Sequence, residues 1–182
     1  MQKNLAGLKI AMLVTDGFEE SEMVKPRAAL QHEGAQVDLI APNKKQVKSW
    51  HHKNWGNDFE ADKLLSEVNP NDYQALVLPG GVINPDKLRL IPEAIAFINH
   101  FVIEQKPIAA ICHGPWTLIN AHGVKGRTVT SWPSLQVDLI NAGAHWVDQE
   151  VVIDDNLITS RKPDDIPAFN KAMIELLKQK IN

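Results

Sequence analysis

Cys112 is the only cysteine of the chain, and it stands in Ala110-Ile-Cys-His-Gly-Pro115, between a short aliphatic run and a segment of helical spacing. A side chain at such a strand-to-helix turn is pushed out at the carboxyl edge of a sheet, where open α/β folds bind ligands. The helix that follows aims free N–H groups and its positive dipole end at the sulfur, which predicts a lowered thiol pKa and a nucleophile on an elbow. That elbow pattern places glycine two positions before and two after the nucleophile; Gly114 fits, and Ala110 occupies the other place. The alternative is a small buried hydrophobe with no chemistry.

His113 could serve as a general base or as a hydrogen-bond partner of the sulfur, although adjacent residues usually point apart. Glu19, Glu20 and Glu22 suit the positive end of the helix they open. That helix also starts at the sheet edge of Cys112, so one of the three can reach the thiol. Gly80-Gly81 closes another strand at the same edge, either as a plain tight turn or as a source of backbone N–H groups for a developing oxyanion. His51-His52 point in different directions and lack a third ligand at a convincing spacing, so they read as a solvated loop and no metal is expected. Trp50, Trp55, Trp116, Trp132 and Trp146 are scattered, as core and rim residues are. Neither a phosphate loop nor a dinucleotide fingerprint occurs, and no cofactor is expected.

The elements that must hold these residues alternate between short β-branched or aliphatic runs and helical segments, the pattern of a mostly parallel sheet covered on both faces. Strands are expected at 9–15, 37–41, 73–79 and 107–111, with shorter ones at 128–131, 145–147, 151–154 and 157–159. Helices are expected from Asp16-Gly17 to Gly34, delayed or kinked by Pro26, and at 62–68, 92–104, 116–122 and 135–141. A last helix follows Lys162-Pro-Asp-Asp165. Residues 42–59 read as a loop or small hairpin.

The chain has 182 residues, 44% hydrophobic and 23% charged, which fits one globular domain spanning 1–182. With 19 Lys and Arg against 22 Asp and Glu it carries a net charge of -3 and no basic block, so nucleic acid is not an expected partner. A lone cysteine excludes an intrachain disulfide. No apolar run approaches the roughly 20 residues of a membrane span, and no signal peptide or Asn-x-Ser/Thr acceptor is visible, so a cytoplasmic protein off the membrane is expected.

Taken together, Asp16-Gly-Phe-Glu-Glu-Ser-Glu22, Leu78-Pro-Gly-Gly81, Ala110 to Pro115, Asn141-Ala-Gly-Ala144 and Thr159-Ser-Arg-Lys-Pro-Asp-Asp165 occur in the order of a known family. Over nearly its whole length the chain resembles the ThiJ/PfpI family of the class I glutamine amidotransferase-like superfamily, most of all its PfpI branch of intracellular proteases and general stress proteins. The resemblance implies a flavodoxin-like three-layer α/β sandwich with Cys112 as the reactive residue and Glu22 hydrogen-bonded to its sulfur. It makes His113 the neighbouring histidine and gives the oxyanion site to the Gly81 and His113 N–H groups, with Gly80 beside them. It implies a homo-oligomer, at least a dimer, in which Asp86 is donated by a neighbouring subunit to hold His113. Trp116 replaces a glutamine common in the family and is expected to narrow the pocket. His145 is the only late histidine, and nothing near it resembles the amidotransferase motif, so glutamine hydrolysis is not expected.

Three activities follow from these residues. Cys112 adds to a small electrophile such as methylglyoxal or releases glycation adducts; or it attacks a peptide carbonyl, as a peptidase; or it is a redox sensor oxidised without turnover.

Overall fold

Along Lys9–Leu13 the side chains alternate between two apolar environments: Ile10 and Met12 on one side, Ala11 and Leu13 on the other. From Ile10 onward no member is polar, the mark of a strand buried on both faces. The computed structural model, which describes residues 4–181, makes this strand, β1, part of a seven-stranded sheet.

The chain continues through α1 (Glu20–His32) and β2 (Gln36–Ala41) to a separate hairpin of β3 (Gln46–His51) and β4 (Asn54–Glu60), then β5 (Lys63–Leu64) and β6 (Ala75–Leu78). Next come α2 (Ile83–Leu88), α3 (Pro92–Ile103), β7 (Ile108–Ile111) and α4 (Pro115–Asn120). The remainder is β8 (Thr128–Val129), α5 (Gln136–Asn141), β9 (His145–Trp146), β10 (Val151–Asp154), β11 (Leu157–Ser160) and α6 (Ile166–Ile181). Sheet order is β10-β11-β7-β6-β1-β2-β5, and every pairing is parallel except β10 with β11. The fold is therefore the flavodoxin-like sandwich expected. One face packs Met23 and Leu30 of α1 with Phe169 and Met173 of α6; the other packs Phe97 and Phe101 of α3 with Leu118 of α4 and Leu139 of α5.

After β1 the chain moves outward to β2 and β5, then returns to β6 on the opposite side of β1. This reversal opens a crevice at the carboxyl ends of β1, β6 and β7, where such sheets bind ligands. Among the described residues no helix is long and apolar enough to cross a membrane.

Several elements differ from expectation. The segment 62–68 is not a helix: Lys63 and Leu64 pair with β2, and only a 3-10 turn, Leu65–Glu67, follows. Residues 83–88, with Pro85 in their midst, form α2, because proline in a first helical turn leaves no hydrogen bond unmade. Pro26 does not delay α1, which begins at Glu20.

The β3–β4 hairpin lies outside the central sheet and is fastened to the start of α1 by one carboxylate. Glu20 accepts hydrogen bonds from the Ser49 hydroxyl (2.5 Å), the Asn57 backbone N–H (3.1 Å) and the Asn57 side-chain amide (3.0 Å). The Trp50 N–H donates to the Phe18 carbonyl at 2.7 Å, and the Gly17 N–H to the Lys48 carbonyl at 2.8 Å. Hydrogen bonds to a charged group are worth about 1.5–3 kcal/mol. Glu20→Ala is therefore expected to cost roughly 2 kcal/mol in urea denaturation, with the slope unchanged. A loss within about 0.5 kcal/mol, the scale of an ordinary surface substitution, would mean the carboxylate does not hold the hairpin.

Candidate active site

Cys112 follows β7 directly and takes φ 61°, the left-handed region that non-glycine residues rarely occupy. Its backbone is held there from both sides: its N–H donates to the Ser160 carbonyl (3.0 Å), and its carbonyl accepts from the Trp132 N–H (2.9 Å). Such strain, about 1–3 kcal/mol, persists only where the surroundings over-determine it. The turn is possible because Gly114 lacks a side chain; a Cβ there would lie 2.5 Å from the Leu78 carbonyl oxygen. The elbow's other glycine position, Ala110, is a buried β7 residue that faces the α3 side of the sheet.

The sulfur is nearly buried, at 6% exposure, and lies 3.2 Å from His113 Nδ1. The backbone N–H groups of Gly81 and His113 are turned to the sulfur. Glu22 reaches the same place from α1 with no exposed surface; its Oε2 accepts from the Gly80 N–H at 2.8 Å, and its Oε1 is buried without a partner. The Glu22 carboxyl also faces the thiol. The Gly80 turn is fixed by Asn84, whose amide donates to the Pro79 (3.0 Å) and Gly80 (3.1 Å) carbonyls while its Oδ1 accepts from the Thr15 N–H (2.8 Å).

Burial decides the protonation states. It pushes Glu22 up to about 8, against the Gly80 N–H, and the nearby Glu19 adds to the rise. It also pushes the Cys112 thiol well above its ordinary value, and the Glu22 charge acts the same way, outweighing the Gly81 and His113 N–H groups. The sequence expectation of a thiol acidified by a helix is thus corrected: α4 is only six residues long, and desolvation beside a carboxyl dominates. Both groups therefore hold their protons below about pH 8, and above it a single proton is left between the Glu22 carboxylate and the thiol. Burial lowers His113 to about 4, so its ring is neutral at pH 7.

A cavity of about 380 Å³ opens over the sulfur. Of the residues expected from sequence, Cys112, His113, Glu22 and Gly81 line it, whereas Gly80 contributes its N–H from behind Glu22. Trp116 does not narrow it. Its Nε1 donates to Asp138 at 2.8 Å, the Arg89 guanidinium covers its ring, and it meets His113 edge-on at 5.4 Å, so it buttresses the histidine. The aromatic wall is instead Trp132, stacked on His113 at 5.8 Å, together with Trp50 and His52 from the hairpin. Sequence reasoning placed His52 in a solvated loop; the hairpin turn, with His52 at φ 55°, carries it to the cavity. Glu19 also lines the cavity, whereas Asp86 is exposed on α2 and His145 exposed on β9.

A buried cysteine on a strained elbow, beside a buried glutamic acid at the carboxyl edge of a flavodoxin-like sheet, places the protein among cysteine-centred α/β sandwiches. The DJ-1/PfpI family matches residues 8–176, and the chain belongs to that family. It is 43% identical over 175 residues to General stress protein 18 of Bacillus subtilis (strain 168), covering 95% of this chain and 99% of that protein. It is 44% identical over 173 residues to Protein/nucleic acid deglycase 2 of Escherichia coli (strain K12), covering 93% and 98%. A two-domain structure from Anabaena variabilis, with DJ-1/ThiJ/PfpI-like and ferritin-like domains, has a TM-score of 0.87 and 32% identity. That match covers 93% of this chain and 48% of the Anabaena chain, so this chain spans about half of it.

Glu22 keeps its proton in the folded protein up to about pH 8 but loses it near 4.5 when unfolded. The stability it contributes is therefore complete below about 4.5 and lost as pH rises towards 8. Relative to Glu22→Gln, the wild type should lose stability over that interval at up to about 1.4 kcal/mol per pH unit, measured by urea denaturation at a series of pH values. A difference that stays constant with pH would show that Glu22 ionises normally in the folded chain.

Proposed function

We propose that this protein is a cysteine-dependent enzyme acting on small reactive aldehydes or on glycation adducts. The observation that carries the proposal is the Cys112 thiol beside the buried Glu22 carboxyl beneath a cavity of about 380 Å³, sized for a small molecule or one modified side chain. The names of relatives at about 40% identity, several of them deglycases, support an enzyme.

For a 2-oxoaldehyde the steps balance without an outside oxidant. In the fraction of molecules whose Glu22 is ionised, its carboxylate takes the thiol proton, and the thiolate adds to the aldehyde carbon, giving a hemithioacetal whose oxygen faces the Gly81 and His113 N–H groups. A proton leaves that carbon, returns to the neighbouring carbonyl carbon, and leaves a thioester. The first carbon is oxidised and the second reduced. Water then cleaves the thioester, releasing a 2-hydroxy acid and restoring the thiol. Glu22, with a pKa near operating pH, and neutral His113 are the groups placed to carry these protons. An adduct on an amine would be released by the same thiolate.

Asp86 we assign to a second copy of the chain. Its carboxylate has no partner among the described residues, and Val82 and Leu90, on the same segment, are large exposed apolar side chains. A face of this kind is stable in water when another surface covers it. Closed by its symmetry mate, it would bring Asp86 toward the partner's His113.

Methylglyoxal should be consumed by the wild type with lactate as product, and Cys112→Ser should not exceed the uncatalysed rate; equal consumption by the two would overturn the function. Sedimentation should give a dimer or larger assembly, with Asp86→Ala lowering turnover but leaving the melting temperature unchanged. A monomer with full turnover would remove Asp86 from the site.

A further inference from the structure

The cavity over Cys112 contains an acidic group that the thiol chemistry leaves unused. Glu19, the residue before α1, lines the cavity and is only 9% exposed, and its Oε1 is buried without a hydrogen-bond partner. Leaving a buried carboxyl oxygen unpaired costs about 1–3 kcal/mol or more. Neither packing nor secondary structure requires it, because the neighbouring Glu20 fastens the hairpin and Glu22 meets the thiol. The group turned to Glu19 is the hairpin tip, through the His52 backbone N–H and imidazole.

The rest of the wall decides what could complete the carboxyl. Two carboxyl side chains line the cavity, and among the described residues no lysine or arginine does. The other walls include the rings of Trp50, Trp132, His52 and His113 and the apolar side chains of Val82, Ile83 and Pro163. Arg161, the nearest basic residue in sequence to the lining Pro163 apart from Lys162, is held by Asp148 (2.8 Å) and Asp165 (2.9 Å). An anion entering this space would meet acidic groups with no compensating cation. A flat cation would find a hydrogen-bond acceptor and aromatic faces, the two partners that bind guanidinium and ammonium groups most strongly.

We propose that Glu19 is a specificity residue: with Trp50 and Trp132 it binds a guanidinium or ammonium nitrogen of the substrate, selecting carbonyl adducts carried on cationic side chains over anionic ones such as sugar phosphates. This deepens the function proposed above and rests on the cavity being the substrate site. Its test does not depend on turnover. Propylguanidinium, the neutral isostere propylurea and the anion butyrate are titrated into the Cys112→Ser protein, with and without Glu19→Gln, while tryptophan fluorescence is followed.

Propylguanidinium should bind about tenfold tighter than propylurea, the effect of one charge-assisted hydrogen bond. Butyrate should bind more weakly than either, and Glu19→Gln should erase the preference while leaving propylurea unchanged. The proposal is overturned if urea or carboxylate binds as tightly, if the preference survives Glu19→Gln, or if propylguanidinium gives no saturable signal. Methylglyoxal turnover by the wild type together with no such preference would refute the subsite and leave the thiol chemistry standing.

Discussion

The arrangement depends on how closely two strand ends and the first turn of a helix approach one another at Cys112. A single added carbon at Gly80 would lie 2.5 Å from the Glu22 carboxyl, 2.7 Å from the Cys112 Cβ and 2.7 Å from the Ile111 carbonyl, closer than Cβ atoms come to their neighbours. The β6 turn, the α1 glutamate and the β7 elbow thus fill one small volume, and each makes the others' geometry possible. The left-handed backbone of Cys112 persists because backbone bonds to Ser160 and Trp132 hold it on both sides.

That closeness also determines the proton chemistry. Charges are unfavourable at a site that excludes water, so neither the Glu22 carboxylate nor the Cys112 thiolate is stable beside the other as an anion. Keeping both protonated at neutral pH resolves the conflict, and the Gly80, Gly81 and His113 N–H groups stabilise whichever anion forms. In the function proposed, the ionised Glu22 would be the base, so a low thiol pKa would not be required of Cys112.

Much of this was legible in the sequence, and the parts that were not share a physical reason. Strands buried on both faces announce themselves by uninterrupted apolar runs, so β1, β6 and β7 were readable, and with them the positions of Glu22, Gly81 and Cys112. Residues 62–68 misled, and no element was read at 83–88, because their structure is set by neighbours: a two-residue strand exists only against β2, and α2 carries a proline that local propensity reads as a turn. The roles of Trp116 and Trp132 were misplaced because direction around a short helix or turn depends on contacts with α5 and His113. His52 was dismissed because adjacent histidines look like a solvated pair, and only the register of the hairpin shows which one faces the cavity. Glu19 had a weak signal: three acidic residues in four positions exceed what one helix start needs.

These three glutamates also show how the molecule separates reactivity from selection. Glu22 points inward to the central sheet and sets the state of the thiol, while Glu20 points outward and holds a hairpin that shares no strand pairing with that sheet. The hairpin contributes Trp50 and His52 to the cavity but nothing to the elbow. Its shape could therefore change without disturbing the volume shared by Gly80, Glu22 and Cys112, which is bounded by the ends of β6 and β7 and the first turn of α1. In the function and specificity proposed, a separately fastened wall would let the hairpin and Glu19 set the nature of the ligand while the proton chemistry below stays the same.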